Sequence, residues 1–196
     1  MSAAELKREI RACTLCAGHL PLGPRPIVQF SPTSRVVVIG QAPGRITHES
    51  GLAFDDKSGY RLAEWLDVDF ETLHDPARFA IVSMGFCYPG KMPKEKGGGG
   101  DMPPRPECAP TWHDRVWAEL PDDRLTLLVG TYAQRAYLPE TKGWTMRERI
   151  RRYRAFLPRF LPLPHPAWRS TLFMRDNPWF EDEILPDLRA LVAARI

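Results

Sequence analysis

The run RVVVIG at residues 35–40 constrains this chain more than any other feature. Consecutive β-branched residues without polar alternation make a strand buried on both faces, and such strands belong to parallel sheets covered by helices on each side. RFAIVSMGF (78–86) and RLTLLVG (124–130) repeat the pattern, and RFLPLP (159–164) is a fourth strand limited by its prolines. Helical patterns separate them, over residues 4–15, 56–68, 108–120, a short stretch after Gly130, and a basic helix at 145–157, with a last one at 177–196 opened by Asn177-Pro178. Alternation of this kind predicts an α/β fold, a three-layer αβα sandwich around a central, mostly parallel four-stranded sheet. At 196 residues the chain suits one domain, 1–196, and no internal repeat divides it.

Composition excludes some classes and leaves others open. Mean hydropathy is −0.33, and no apolar run reaches the 18 or so residues of a membrane span, so no membrane role is expected. The N-terminus lacks an apolar signal segment, which points to the cytoplasm, and a monomer is expected there. A net charge of +3 permits a nucleic-acid partner without demanding one. With 14 glycines and 20 prolines, much of the chain must be ordered loop, including the Gly-rich stretch 88–107.

Cys13, Cys16, Cys87 and Cys108 are the only cysteines. Disulfides are not expected in that compartment, and a redox C-x-x-C would follow a strand and open a helix, whereas Cys13 and Cys16 end one. Two readings stay open, ligation of a metal centre by all four thiolates or unconnected buried thiols. The wide split between Cys87 and Cys108 favours an iron–sulfur cluster over a zinc ribbon, with zinc as the alternative.

In parallel sheets ligands bind beyond the carboxyl ends of the strands. The candidates are therefore residues 41–44, 83–87, Gly130-Thr131 and His165-Pro166. These segments resemble the uracil-DNA glycosylase superfamily, most closely its iron–sulfur branch (family 4). Gly40-Gln41-Ala42-Pro43-Gly44 matches a G-E-A-P-G motif, Gly51 to Phe54 a G-x-P-F, and Ser58-Gly59 the S-G that opens a helix. His165-Pro166 and Arg175-Asp176-Asn177-Pro178 match the late motifs, and the four cysteines fall where that branch holds its cluster.

The resemblance implies a 4Fe-4S cluster on Cys13, Cys16, Cys87 and Cys108. Its DNA partner carries uracil or another deaminated base, flipped into a pocket and released as the first step of base excision repair. Phe54 would stack on the base and Ser83 would read its edge, while Gly40, Ala42, Pro43 and Gly44 let backbone approach base and sugar. His165 would donate a hydrogen bond to the developing pyrimidine anion. Ser58, Arg169, Leu172 and Arg175 would contact DNA, with Trp168 and Phe173 adding to an apolar wedge and Lys57 and the lysines of the 91–96 loop meeting phosphates.

The sequence departs from the family at two positions. Gln41 stands where the family has a carboxylate, and an amide can position a water but cannot take its proton. Ser83 replaces an asparagine, so base selectivity is open to relaxation. His48, Glu49, Asp55 and Asp56 are candidates for the missing base, and spacing selects none of them. No covalent DNA product is expected. The alternative reading is a non-catalytic module that binds uracil-containing or abasic DNA, and a small-molecule nucleotide hydrolase is a third. Phe54, His165 and the apolar 168–173 residues also have plain packing readings, as the arginines of 147–154 have a solvated one.

Overall fold

A computed structural model describes residues 2–96, 98–168 and 170–196. Four parallel strands, β1 (Val36–Ile39), β2 (Phe79–Ile81), β3 (Leu125–Val129) and β4 (Phe160–Leu163), form one sheet in the order β2-β1-β3-β4. Alternate residues of β1 face opposite layers, as a pleated strand requires. Val36 and Val38 join a core with Leu62, Trp65, Leu66 and Leu188, whereas Val37 and Ile39 join one with Leu6, Ile10, Trp112 and Val116. The first layer contains α3 (Lys57–Leu66) and α9 (Leu185–Ala193), and the second α1 (Ala3–Arg11) and α5 (Cys108–Trp117). The expected three-layer α/β sandwich is therefore what the chain adopts. Pro162 sits inside β4, but β4 is an edge strand with β3 as its one neighbour in the sheet, a place where a proline is tolerated.

Several elements are shorter than their patterns. The strand read over 78–86 ends at Ile81, after which the chain bends away to deliver Ser83 to Cys87. The helix read over 145–157 is α7 (Met146–Arg151) followed by a 3-10 turn, and that read over 177–196 begins as a π-helical turn at Phe180–Ile184 before α9. Short helices α2 (Arg45–Ser50), α4 (Phe70–Leu73), α6 (Thr131–Tyr137) and α8 (Ser170–Asp176) fill the connections. The 88–107 stretch is a narrow ladder, with Met92 N–H bonding Gly100 O at 2.9 Å and Met102 N–H bonding Gly90 O at 2.8 Å.

The basic segment after Thr145 spends much of its charge internally. Arg149 is buried and donates from Nε to Thr141 Oγ1 at 2.6 Å, Arg151 pairs with Glu183 at 2.8 Å, and Arg154 with Asp187 at 2.9 Å. Among the described residues, no helix is long and apolar enough to cross a membrane.

Candidate active site

The carboxyl ends of the strands carry a pocket of about 90 Å³. Gln41, Ala42, Pro43 and Gly44 form one wall as the chain leaves β1, Phe54 and Ser58 a second, and Ser83 and His165 the rest. Segments more than a hundred residues apart in the chain thus meet around one cavity. Gly40 lies behind it, where an added Cβ would stand 3.1 Å from the Phe54 ring and 3.4 Å from Ser83 Oγ. A side chain there would push the ring out of place, so the glycine is required for close approach.

Local bonds hold Phe54 in an uncommon conformation. Its φ is +56°, a left-handed value that costs a bulky residue free energy and persists only when its surroundings fix it. The fixing comes from the start of α3. Asp56 caps the helix, accepting from Ser58 N–H at 2.8 Å and Gly59 N–H at 3.1 Å, and also bonds the Ser58 hydroxyl. A Cβ on Gly59 would fall 1.8 Å from the Phe54 carbonyl oxygen, which explains why Ser58-Gly59 must follow Phe54 at this spacing. His74 Nε2 meets the preceding carbonyl, Ala53 O, at 2.6 Å.

Ser83 is buried, and the strand exit around it is tied to β1 by Met84 N–H to Gly40 O at 2.9 Å and Gly85 N–H to Gln41 O at 3.0 Å. Behind it lies a polar chain that sequence reasoning missed. Trp117 Nε1–H donates to the Tyr137 hydroxyl at 3.2 Å, that hydroxyl bonds His113 Nδ1, and His113 Nε2 lies 3.0 Å from Ser83 O. Since Ser83 O can only accept, the proton is on Nε2 and Nδ1 accepts from Tyr137. Burial pushes the His113 pKa down to about 4. The unfolded chain takes up this proton near pH 6.5, so stability is full above that pH and falls as pH drops toward 4. The expected loss is about 3 kcal/mol by pH 4, read from urea midpoints, and His113→Gln should flatten that slope. An unchanged slope would remove His113 as its cause.

His165 leaves β4 beside Gly130, whose positive φ of +85° brings the two backbones together. Burial lowers the His165 pKa, against the opposing pull of Asp56 and Asp101. The imidazole is therefore neutral at pH 7, a hydrogen-bond donor without a charge to be solvated. Gln41 Nε2–H donates to Met102 O at 3.1 Å.

Among the four candidates for a missing base, Asp56 alone lines the pocket. Glu49 pairs with Arg45 at 2.8 Å, and His48 is buried beside Tyr88 with ring centroids 6.1 Å apart. A second carboxylate, Asp101, also lines it and was not anticipated, because nothing in the spacing of the Gly-rich loop indicates where its end will pack. A wider groove of about 520 Å³ opens from the pocket past Lys91, Tyr132, Trp168 and Phe173.

The expected DNA-contact residues are scattered. Trp168 and Leu172 are 68% and 46% exposed beside the groove or on α8. Arg175 pairs with Asp176 at 2.8 Å and lines a different hollow, with Arg61 and Arg189, so it is not brought to the pocket. Arg169 lies outside the described residues. Arg61, unforeseen, clamps the start of α8 by donating to Ala167 O at 3.0 Å and Ser170 Oγ at 3.0 Å.

Cys13, Cys16, Cys87 and Cys108 are free thiols that line one further hollow, of about 20 Å³, together with Leu20 and Trp112. They arrive from the end of α1, the exit of β2 and the first residue of α5. Phe86 N–H donates to Cys108 Sγ at 3.3 Å. Burial pushes the Cys87 thiol up to about 11 and Cys108 to about 12. Among the described residues, no group of three or more His, Cys, Asp or Glu side chains is drawn together tightly enough to hold a single ion. A soft, all-sulfur donor set is chemically suited to an iron–sulfur cluster, and also to zinc.

In a comparison with family models, the one described as the uracil DNA glycosylase superfamily matches residues 27–189. That span contains every residue of the pocket and leaves Cys13 and Cys16 outside it.

Proposed function

The chain belongs to the uracil DNA glycosylase superfamily, and from that premise we propose that it is a monofunctional DNA glycosylase releasing uracil, or another deaminated base, from DNA. The observation that carries the reading is the meeting of the 41–44 turn, Phe54, Ser83 and His165 around one pocket beyond the strand ends. A flipped base enters that pocket and lies against the Phe54 ring. As the N-glycosidic bond breaks, electrons move onto the base and the sugar becomes cationic. The neutral His165 N–H then gains a stronger acceptor in the base anion than the ground-state carbonyl offered, which lowers the barrier. Ser83, with one hydroxyl, grips the base edge less selectively than a bidentate amide would.

Cys13, Cys16, Cys87 and Cys108 would hold a 4Fe-4S cluster with a structural role, tying α1 and α5 to the exit of β2. The enzyme would act as a monomer in the cytoplasm.

The test is single-turnover base release from a single-stranded oligonucleotide containing one uracil, with hypoxanthine and xanthine substrates beside it. An alkali-labile abasic site is the expected result. A gel shift without release of any base would instead support the non-catalytic binding module, a reading favoured by the amide at position 41.

A further inference from the structure

Resting on the glycosylase reading, we infer that Asp101 is the carboxylate that serves the reacting sugar, and that Gln41 is the latch that seats it. The scissile bond joins a base inside the pocket to a sugar in the adjoining groove, so the groups flanking it must border both spaces. Gln41, Ala42, Asp101 and His165 are the residues that do so. Asp101 is the one carboxylate of the four. Asp56 lines the inner pocket alone, and one of its oxygens is committed to capping α3.

The position of Asp101 depends on its neighbour. Asp101 belongs to the 88–107 ladder, bridged to Lys91, with its Oδ1 2.9 Å from Lys91 Nζ. A Cβ added to Gly44 would stand 3.5 Å from Asp101 Oδ2, so the carboxylate lies close over the 41–44 turn. The next residue, Met102, accepts the 3.1 Å bond from Gln41 Nε2. A carboxylate at position 41 has no proton to donate and would face the Met102 carbonyl with like partial charge. An amide at 41 and a carboxylate delivered from the ladder are therefore one coupled arrangement.

In the reaction, a water oxygen bonds to C1′ as the C1′–N bond breaks, and the bonding pair departs with the base. The water proton passes to Asp101, which returns it to solvent, while the base anion takes up a proton after release. Before proton transfer, the Asp101 charge opposes the cationic sugar across the boundary of the two spaces.

Single-turnover release and DNA affinity of D101N, D101E, D56N and Q41E test this. D101N should lose about 100-fold or more in rate with affinity changed less than about 3-fold, and D101E should recover part of the loss. D56N should keep more activity than D101N. Q41E should slow release by freeing the ladder. D101N at the wild-type rate, D101N and D101E equally slow with equally lowered melting temperatures, D56N slower than D101N, or a faster Q41E would each overturn the assignment. A wild-type protein that releases no base would overturn the glycosylase reading itself and this assignment with it.

Discussion

Replacing His165 by alanine is expected to slow base release by about 10²–10³-fold, or about 3–4 kcal/mol of barrier, while DNA binding changes little. The size of the effect follows from the surroundings of the ring. His165 borders both the base pocket and the groove, and burial keeps it uncharged, so it can donate a hydrogen bond there without first losing a proton. A donor fixed before the reaction costs no reorganisation during it, and in a site shielded from water its interaction with an anion is stronger than in solution. The measurement is single-turnover release by wild type and His165→Ala at saturating enzyme, with affinity measured on the same oligonucleotide. Equal loss of affinity and rate would make His165 a uniform binding contact instead. Because its pKa is lowered, the wild-type rate should not fall between pH 8 and 6.5 through protonation of this residue.

Cys87→Ser is expected to empty the four-cysteine site and cost about 3 kcal/mol, roughly 10 °C in melting temperature, with lower soluble yield. The four sulfurs come from three segments, the end of α1, the exit of β2 and the start of α5, which also share one apolar core through Ile10, Phe86 and Trp112. Glu9 and Arg115 join α1 to α5 with a 2.8 Å bond, but this pair is partly exposed and contributes little. A group held by all four sulfurs would add a link between these segments beyond their apolar packing, and its loss would loosen the end of α1 and the exit of β2 together. Purified wild-type protein should be brown with about four irons per chain. The rate per folded molecule should fall far less in Cys87→Ser than in His165→Ala. Stoichiometric zinc in a colourless wild type would refute the cluster, and a soluble Cys87→Ser with normal melting temperature would refute its structural role.

Much of this molecule is legible one segment at a time. The runs 35–40 and 124–130 could only be inner strands, because continuous apolar, β-branched sequence must be buried on both faces. With the strands placed, the residues that follow them were the candidates for a site, since helix-covered parallel sheets leave only the strand ends open. That reasoning pointed to Gln41 to Gly44, Ser83 and His165, the count and spacing of cysteines grouped Cys13, Cys16, Cys87 and Cys108, and the resemblance added Phe54, all of which line hollows in the structure.

What local sequence could not supply was the partnership between segments. The left-handed Phe54 is set by Gly59 and the Asp56 cap, and its meaning appears only when the carbonyl is seen against the glycine. His113 falls inside the helix read over 108–120 with nothing to single it out, yet packing between α5, α6 and the exit of β2 makes it the buried support of Ser83. Asp101 follows four glycines that carry no periodicity, so its arrival over Gly44 was set by ladder bonds and by Gln41. Arg175 belongs to a recognisable motif, but the direction of α8 turns it toward another hollow. Sequence by itself determined the sheet, its layers and the ends where chemistry gathers, because burial and periodicity are properties of neighbours along the chain. Only the tertiary structure decided which carboxylate faces the boundary between pocket and groove, because that depends on distances between residues the chain keeps about sixty positions apart.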